Sequence, residues 1–313
     1  MLYAMEIELT SHCQLSCPFC RTGKSLRHKY SQVPRGMMEK ETLLNILNKV
    51  PLPGHALLYN WGEPFLHPDL LWFVQQAKSR ISRCDLSTNM QIFSEEIAEG
   101  LINSRVNYLR VSCDGLNQES YEKYRVGGSL EKVTQHTKML SDMKKKMNSN
   151  LPVIILQMAV SRHNEQELPL IPEFASRYGF NEISLINLCA MTPEGYVLQP
   201  LYEAVNPAWK KYWSIGNITN CRQPWEHVTF DWNGDVYTCC NPSGVVPYKM
   251  GNINESSFED IWNGKKYQYV REFCNSGVAV DNSFEIMCHA CYNKFPSELS
   301  RANDMYSPCL KIN

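Results

Sequence analysis

The sequence has no long apolar run. Nothing in it approaches the ~20 consecutive apolar residues of a membrane-spanning helix, which argues against a membrane partner. It also lacks a charge bias. Across 313 residues the formal net charge is -1, so there is no electrostatic case for nucleic acid or an anionic lipid surface as partner. The opening residues, MLYAMEIELT, lack the basic start and apolar core of a secretory signal. No internal repeat or low-complexity tract is present. These absences lead us to expect a cytoplasmic protein. Thirteen cysteines then need an explanation other than disulfides, and clustered thiols in a reducing compartment point to metal or catalysis.

The chain alternates strand-like and helix-like runs. AMEIELT (4–10), HALLYNW (55–61), CDLST (84–88), VNYLRVSC (106–113), VIILQMAV (153–160) and EISLINL (182–188) read as strands. Between most of them lie helical patterns at 39–50, 68–79, 94–103, 129–147 and 165–179. Such alternation predicts an α/β fold with a parallel sheet. Six units within the first 190 residues fit a partial (β/α)6 barrel better than a full barrel of eight. Ligands of such sheets bind at the C-terminal strand ends. A Pro-rich aperiodic stretch follows, and a cysteine-rich segment runs from Cys221 to Cys309. We expect a barrel over 1–200, a linker over 201–220 and a second domain with the C-terminal tail over 221–313.

The cysteine loop CQLSCPFC carries Cys13, Cys17 and Cys20 directly after the first strand. A closed structural zinc site takes four ligands. Three thiolates on one loop leave one iron of a [4Fe–4S] cluster free for a small molecule, whereas a zinc loop would recruit a distant fourth cysteine. C-x3-C-x2-C with Phe19 before the last cysteine resembles the signature of the radical S-adenosylmethionine (SAM) family. Four later strand ends extend the resemblance. Trp61-Gly62-Glu63-Pro64 resembles the family's GGEP segment, with Trp in place of the first glycine. Ser87-Thr88-Asn89 resembles its TNG stretch, Ser112-Cys113-Asp114-Gly115 its S-x-D-G, and Asn164-Glu165 its Asn-Glu pair. The resemblance implies that Cys13, Cys17 and Cys20 hold the SAM-binding cluster. It also implies that Phe19, Gly62, Glu63, Pro64, Ser87, Thr88, Asn89, Ser112, Asp114 and Asn164 line the SAM site, with Glu63 facing the methionine ammonium. The implied reaction is reductive cleavage of SAM to a 5′-deoxyadenosyl radical, which takes a hydrogen atom from a substrate. A reductant such as flavodoxin or ferredoxin is then an expected partner.

The second half holds Cys221, then Gly234 with four residues between it and Cys239, then Cys288-His289-Ala290-Cys291. DWNGDVYTC reads as a hairpin around Asn233-Gly234, and residues 251–273 as a turn plus helix. A hairpin with a cysteine on each side and a later C-x2-C has the spacing of a four-thiolate site, iron–sulfur or zinc. This resembles the SPASM/twitch extension of radical SAM enzymes, which carries auxiliary [4Fe–4S] clusters. Counting the full SPASM spacing onward, Ser297 and Arg301 occupy two expected cysteine positions. The resemblance therefore implies one auxiliary cluster, held by Cys221, Cys239, Cys288 and Cys291.

Six cysteines remain. Cys84, Cys113 and Cys189 lie on or beside strands, where buried Cys serves as a small apolar residue. Cys274, ahead of Cys240 and Cys309, is a candidate hydrogen donor to a substrate radical, since Asn275-Ser276-Gly277 suggests a loop that could cover the barrel mouth. His289 reads as solvated, and Lys144-Lys145-Lys146 as an exposed helix end. The arrangement most resembles 2-deoxy-scyllo-inosamine dehydrogenase and the aminoglycoside epimerases, which implies a polar sugar or aminocyclitol substrate and either dehydrogenation or epimerisation. The absence of an N-terminal leader-binding module ahead of the first strand favours this over a peptide substrate. Peptide maturation is the alternative, and a non-catalytic Fe–S or zinc-binding module a remote one.

Overall fold

The computed structural model describes residues 2–18, 20–22, 34–187, 190–192, 195–197, 221–240, 243–276, 283–286, 288 and 310–311. Strands β1 (Ala4–Ile7), β2 (His55–Leu57), β3 (Arg83–Thr88), β4 (Tyr108–Ser112), β5 (Val153–Val160) and β6 (Glu182–Asn187) lie side by side in chain order. Every neighbouring pair among them is parallel. Helices α1 (Lys40–Lys49), α2 (Leu70–Lys78), α3 (Glu95–Asn103), α4 (Gln118–Tyr124), α5 (Leu130–Lys146) and α6 (Ile171–Tyr178) fill the crossovers. This is the expected six-unit α/β architecture, with α4 as an element that sequence reading did not separate. One pattern differs in detail. The 165–179 pattern splits into a 3-10 turn, Glu165–Leu170, and then α6, because Pro169 has no N–H to continue an α ladder.

Burial explains the strands. In β1, Met5 and Ile7 enter the main core with Leu9 just beyond, while Glu6 and Glu8 point to the opposite face of the pleat. In β5, Ile154, Leu156, Met158 and Val160 bury one face, and Ile155 and Ala159 on the other face are buried too, as in a strand covered on both sides. In the basic run at the end of α5, Lys145 and Lys146 are exposed as expected, and Lys144 is a correction. Lys144 is buried, and its Nζ donates to the Pro152 carbonyl and, at 2.9 Å, to Asn181 Oδ1. The helical period turns it inward, and burial lowers its pKa to about 8.

Beyond β6 lie a small hairpin, β7 (Ala190–Thr192) with β8 (Gly195–Val197), and then the C-terminal strands. Helix α7 (Gln223–Glu226) leads into β9 (His227–Phe230), which pairs in parallel with β1. β10 (Asp235–Tyr237) and β11 (Gly251–Asn252) add on antiparallel. The expected hairpin at Asn233-Gly234 is present, and Gly234 sits at φ +86, a conformation that glycine adopts readily. At the far edge β12 (Leu310–Lys311) pairs with β6. One ten-stranded sheet therefore carries both halves of the chain. The expected turn-plus-helix resolves as β11, α8 (Phe258–Trp262) and α9 (Lys265–Ser276). The expected linker, 201–220, lies outside the described residues.

Candidate active site and metal centres

The cysteine loop leaves β1 at its C-terminal end. It turns tightly, with Cys20 N–H donating to the Cys17 carbonyl at 3.3 Å, and is pinned by Ser16 N–H to Val126 O at 3.0 Å. Cys17 is buried, while Cys13 and Cys20 are half-buried. The loop after β2 is brought against it. Glu63 N–H donates to the His12 carbonyl at 2.8 Å, and Glu8 Oε1 accepts from Trp61 N at 2.9 Å and Gly62 N at 3.2 Å. A Cβ on Gly62 would lie 1.7 Å from the Thr10 carbonyl oxygen, so only glycine allows this approach. Pro64 then opens a buried 3-10 turn, Pro64–Leu66.

Glu63 is the centre of the strand-end bonding. Its Oε1 accepts from Thr88 Oγ1 at 2.8 Å and Phe65 N at 3.2 Å, and its Oε2 from Asn89 N at 2.7 Å. Burial raises its pKa to about 7, against the lowering effect of these bonds and of Arg125. Asn89 carries the chain of contacts to the cysteines, since its Nδ2 lies 3.6 Å from Cys13 Sγ. Asp114, after β4, accepts from Ala159 N at 2.6 Å and pairs with Arg125, whose other nitrogen stands 3.9 Å from Cys17 Sγ. Asn164, buried, donates to the Asp114 and Ala159 carbonyls at 3.1 and 2.9 Å. Strand ends β2 to β5 are thus tied to one another and to the cysteine loop. Buried Ser112 and half-buried Ser87 take no part in these hydrogen bonds. Phe19 lies outside the described residues.

Arg125, Glu8 and Arg21 are partners that sequence reading missed. Each acts through a long-range contact that no short spacing signals. The Arg21 guanidinium lies 4.1 Å from the Trp61 ring centroid and donates to the Ser243 carbonyl, while Ser243 Oγ bonds Asp231. Glu8 and Asp231 are buried carboxyls beside this arginine, and burial raises both above the usual carboxylate range. The Trp61 indole Nε1 donates to the Cys240 carbonyl at 3.0 Å. Trp61 therefore joins the strand-end loop to the C-terminal segment. The Cys240 side chain is hydrogen-bonded to Glu6.

The thiols suit an iron–sulfur cluster. Burial, against the pull of the Leu15 backbone bond, pushes Cys13 up to about 12, and burial, against Arg125, pushes Cys17 up to about 11. Buried thiols of this kind become thiolates when a metal replaces the proton. N–H groups near two of the sulfurs are what cluster thiolates accept. Among the described residues no three His, Cys, Asp or Glu side chains are arranged to hold a single metal ion. A cubane cluster differs in giving each thiolate its own iron.

The C-terminal cysteines are placed differently from the expectation for Cys274. It is not on a loop over the barrel mouth. Helix α9 continues through Asn275 to Ser276, and Cys274 is buried in its last turn. Its Sγ is 3.9 Å from Cys288 Sγ, and its thiol is hydrogen-bonded to Cys221. A donor so enclosed has no open approach to a substrate. Cys239 follows β10, half-buried. Cys84 and Cys113 are buried, as expected, Cys113 donating to Gly115 O at 3.3 Å. Cys189, His289, Cys291, Ser297, Arg301 and Cys309 lie outside the described residues.

Fold and site together define a parallel-sheet protein of the iron–sulfur class, with its chemistry at the C-terminal strand ends. Residues 7–167 match the radical SAM superfamily, and residues 221–292 match SPASM, an iron-sulfur cluster-binding domain. The chain belongs to the radical SAM superfamily and carries a SPASM domain. It thereby takes SAM and a [4Fe–4S] cluster, with auxiliary iron–sulfur binding in the SPASM part. Among characterised relatives, it is 24% identical over 300 residues to the tungsten-containing aldehyde ferredoxin oxidoreductase cofactor-modifying protein of Pyrococcus furiosus, covering 85% of this chain and 82% of the relative. In fold it is similar to BtrN in complex with AdoMet and 2-DOIA, at 15% identity and TM-score 0.52 over 92% of this chain and 95% of that one. It is also similar to Streptococcus suis SuiB bound to precursor peptide SuiA, at 14% identity and TM-score 0.65 over 87% and 67%. No helix among the described residues is long and apolar enough to cross a membrane.

Proposed function

We propose that this radical SAM enzyme abstracts a hydrogen atom from a C–H of a polar natural-product substrate, a sugar, aminocyclitol or aminoglycoside-like molecule, in the cytoplasm. The observation that carries the site assignment is the convergence of Glu63, Asn89, Asp114 and Asn164 on the loop of Cys13, Cys17 and Cys20. When bound there, the cluster and SAM supply a 5′-deoxyadenosyl radical. Cys13, Cys17 and Cys20 hold three irons. Glu63 receives the methionine ammonium with its remaining acceptor capacity, and Asn89 and Arg125 hold Cys13 and Cys17 in place. The likeness in fold to BtrN, which has been observed with AdoMet and 2-DOIA, supports a substrate of this kind. In dehydrogenation the substrate radical would lose a proton and pass one electron to the auxiliary cluster, and in inversion it would take one hydrogen atom from a donor on the opposite face; flavodoxin or ferredoxin would supply the electron that cleaves SAM.

A peptide substrate is the second reading. It is favoured by the likeness in fold to SuiB, which has been observed with a precursor peptide. Anaerobic incubation of reduced enzyme and SAM with aminocyclitols and, separately, with candidate peptides tests the choice. Substrate-dependent 5′-deoxyadenosine with an aminocyclitol supports the first reading. Turnover of peptides alone replaces it with the second. With an aminocyclitol in deuterated water, one deuterium at the reacting carbon indicates inversion, and an oxidised product without deuterium indicates dehydrogenation.

A further inference from the structure

We infer that Gln157 and Ser184, in one row with Ser112, hydrogen-bond the hydroxyl groups of the substrate and set its specificity. The inference rests on the reading of a hydroxyl-bearing substrate and names residues that contact it.

Pairing register places the three side chains. Ser112 of β4 pairs with Gln157 of β5, and Gln157 pairs with Ser184 of β6. Paired residues point to the same face of a sheet, and neighbouring strands lie about 4.8 Å apart, so the row spans about 10 Å. The sequence neighbours Val111, Met158 and Ile183 enter the main core. The row therefore lies on the opposite face. It also lies beside the strand-end site. The Gln157 carbonyl accepts from Cys113 N–H at 2.9 Å, and two residues further along β5 the Ala159 N–H donates to Asp114 Oδ1 at 2.6 Å.

A contrast along this face argues for a ligand. Nearer the start of the strands, Asp85 on the same face is bonded by His55, Arg83 and Arg110. That layer is paired within the protein. The row of Ser112, Gln157 and Ser184 is not. Among the described residues their side chains neither donate nor accept a hydrogen bond. Ser184 is only 1% exposed and Ser112 only 8%, and polar groups so buried are nearly always hydrogen-bonded in folded proteins. Gln157 is half-buried although β4 and β6 flank its strand, so its exposure comes through this face. The three side chains are neutral, and each both donates and accepts. A hydroxyl group does the same. The row matches the hydroxyls of a cyclitol rather than a carboxylate, a phosphate or a hydrocarbon side chain.

The test uses full-length, anaerobically reconstituted protein with SAM, dithionite and 2-deoxy-scyllo-inosamine as the probe. Substrate-dependent 5′-deoxyadenosine gives KM, and equilibrium dialysis gives SAM affinity separately. Gln157→Leu should raise KM for the probe about tenfold, as expected for one lost hydrogen bond to a buried partner, and Ser184→Ala severalfold. SAM affinity should stay within about twofold of wild type in both. Met158→Leu, on the core face of the same strand, should alter neither quantity. Analogues of the probe lacking one hydroxyl each give the specificity readout. One of them should show a raised KM with the wild type and no further rise with Gln157→Leu. Circular dichroism and iron content check that each variant is folded and loaded, and Ser184→Ala, which removes a single oxygen, carries the test should Gln157→Leu fail to fold. Unchanged KM in both variants, with the wild type turning over the probe, would overturn the inference and leave the substrate reading standing. Lost SAM affinity in Gln157→Leu would assign the row to SAM and overturn the inference too. No probe-dependent 5′-deoxyadenosine from the wild type would overturn the substrate reading, and the inference with it.

Discussion

Glu63 is the residue on which the strand ends depend most. Its two oxygens accept three protein hydrogen bonds, and a carboxylate has room for about four. Glu63→Gln keeps the shape and removes the charge. Losing one charge-assisted hydrogen bond costs about 1.5–3 kcal/mol, so SAM affinity should fall roughly ten- to a hundredfold, with iron content unchanged. Equilibrium dialysis with SAM measures this. The same carboxyl gives a pH dependence. Its folded pKa is raised from 4.5 to about 7, so it carries charge only as pH rises through about 7. SAM affinity should therefore increase between pH 6 and 8 in the wild type and stay flat in Glu63→Gln. Linkage has the opposite sign for the cofactor-free protein. The folded state holds a proton that the unfolded state releases, so this group's contribution to stability falls as pH rises from about 4.5 to about 7. A wild-type SAM affinity flat across this range would show that Glu63 does not meet the ammonium.

At the scale of elements, the loops after β1 and β2 are joined through Gly62, Glu8 and the His12 carbonyl. Gly62→Ala drives a methyl into the Thr10 carbonyl oxygen, at 1.7 Å, a contact that only backbone movement relieves. The expected outcome is a melting temperature several degrees lower and poorer loading of the cluster on Cys13, Cys17 and Cys20. Calorimetry and iron analysis would check it, and an unchanged melting temperature would mean that the loops are not in this contact. The strands were legible in the sequence because burial imposes period-two and continuous apolar patterns, as in β1 and β5. Glu63, Asn89, Asp114 and Asn164 stood out through the resemblance of their segments to family motifs, and each lies beyond the same end of a sheet strand. Arg125 and Arg21 did not, since their partners lie far away in the chain. Lys144 was misread because three adjacent lysines suggest solvent, while the period of α5 turns the first inward. Cys274 was misread because Asn275-Ser276-Gly277 suggests a loop, while Tyr269, Val270 and Phe273 supply enough apolar burial to carry α9 through Ser276.

For the whole molecule, β9 pairing with β1 makes the C-terminal half a continuation of the sheet, and Trp61 bonds Cys240 across the two halves. Two cluster sites then belong to one folded body. Anaerobically reconstituted protein should carry about eight irons and eight sulfides, and the Cys13, Cys17 and Cys20 to Ala variant about four. About twelve irons would require a second auxiliary cluster, against the reading of Ser297 and Arg301. The most direct test of the radical SAM assignment is 5′-deoxyadenosine, measured by chromatography after the dithionite-reduced protein is incubated with SAM. The expected result is 5′-deoxyadenosine from the wild type and none from the Cys13, Cys17 and Cys20 to Ala variant. Bound zinc without iron, and no 5′-deoxyadenosine from the reconstituted wild type, would contradict it.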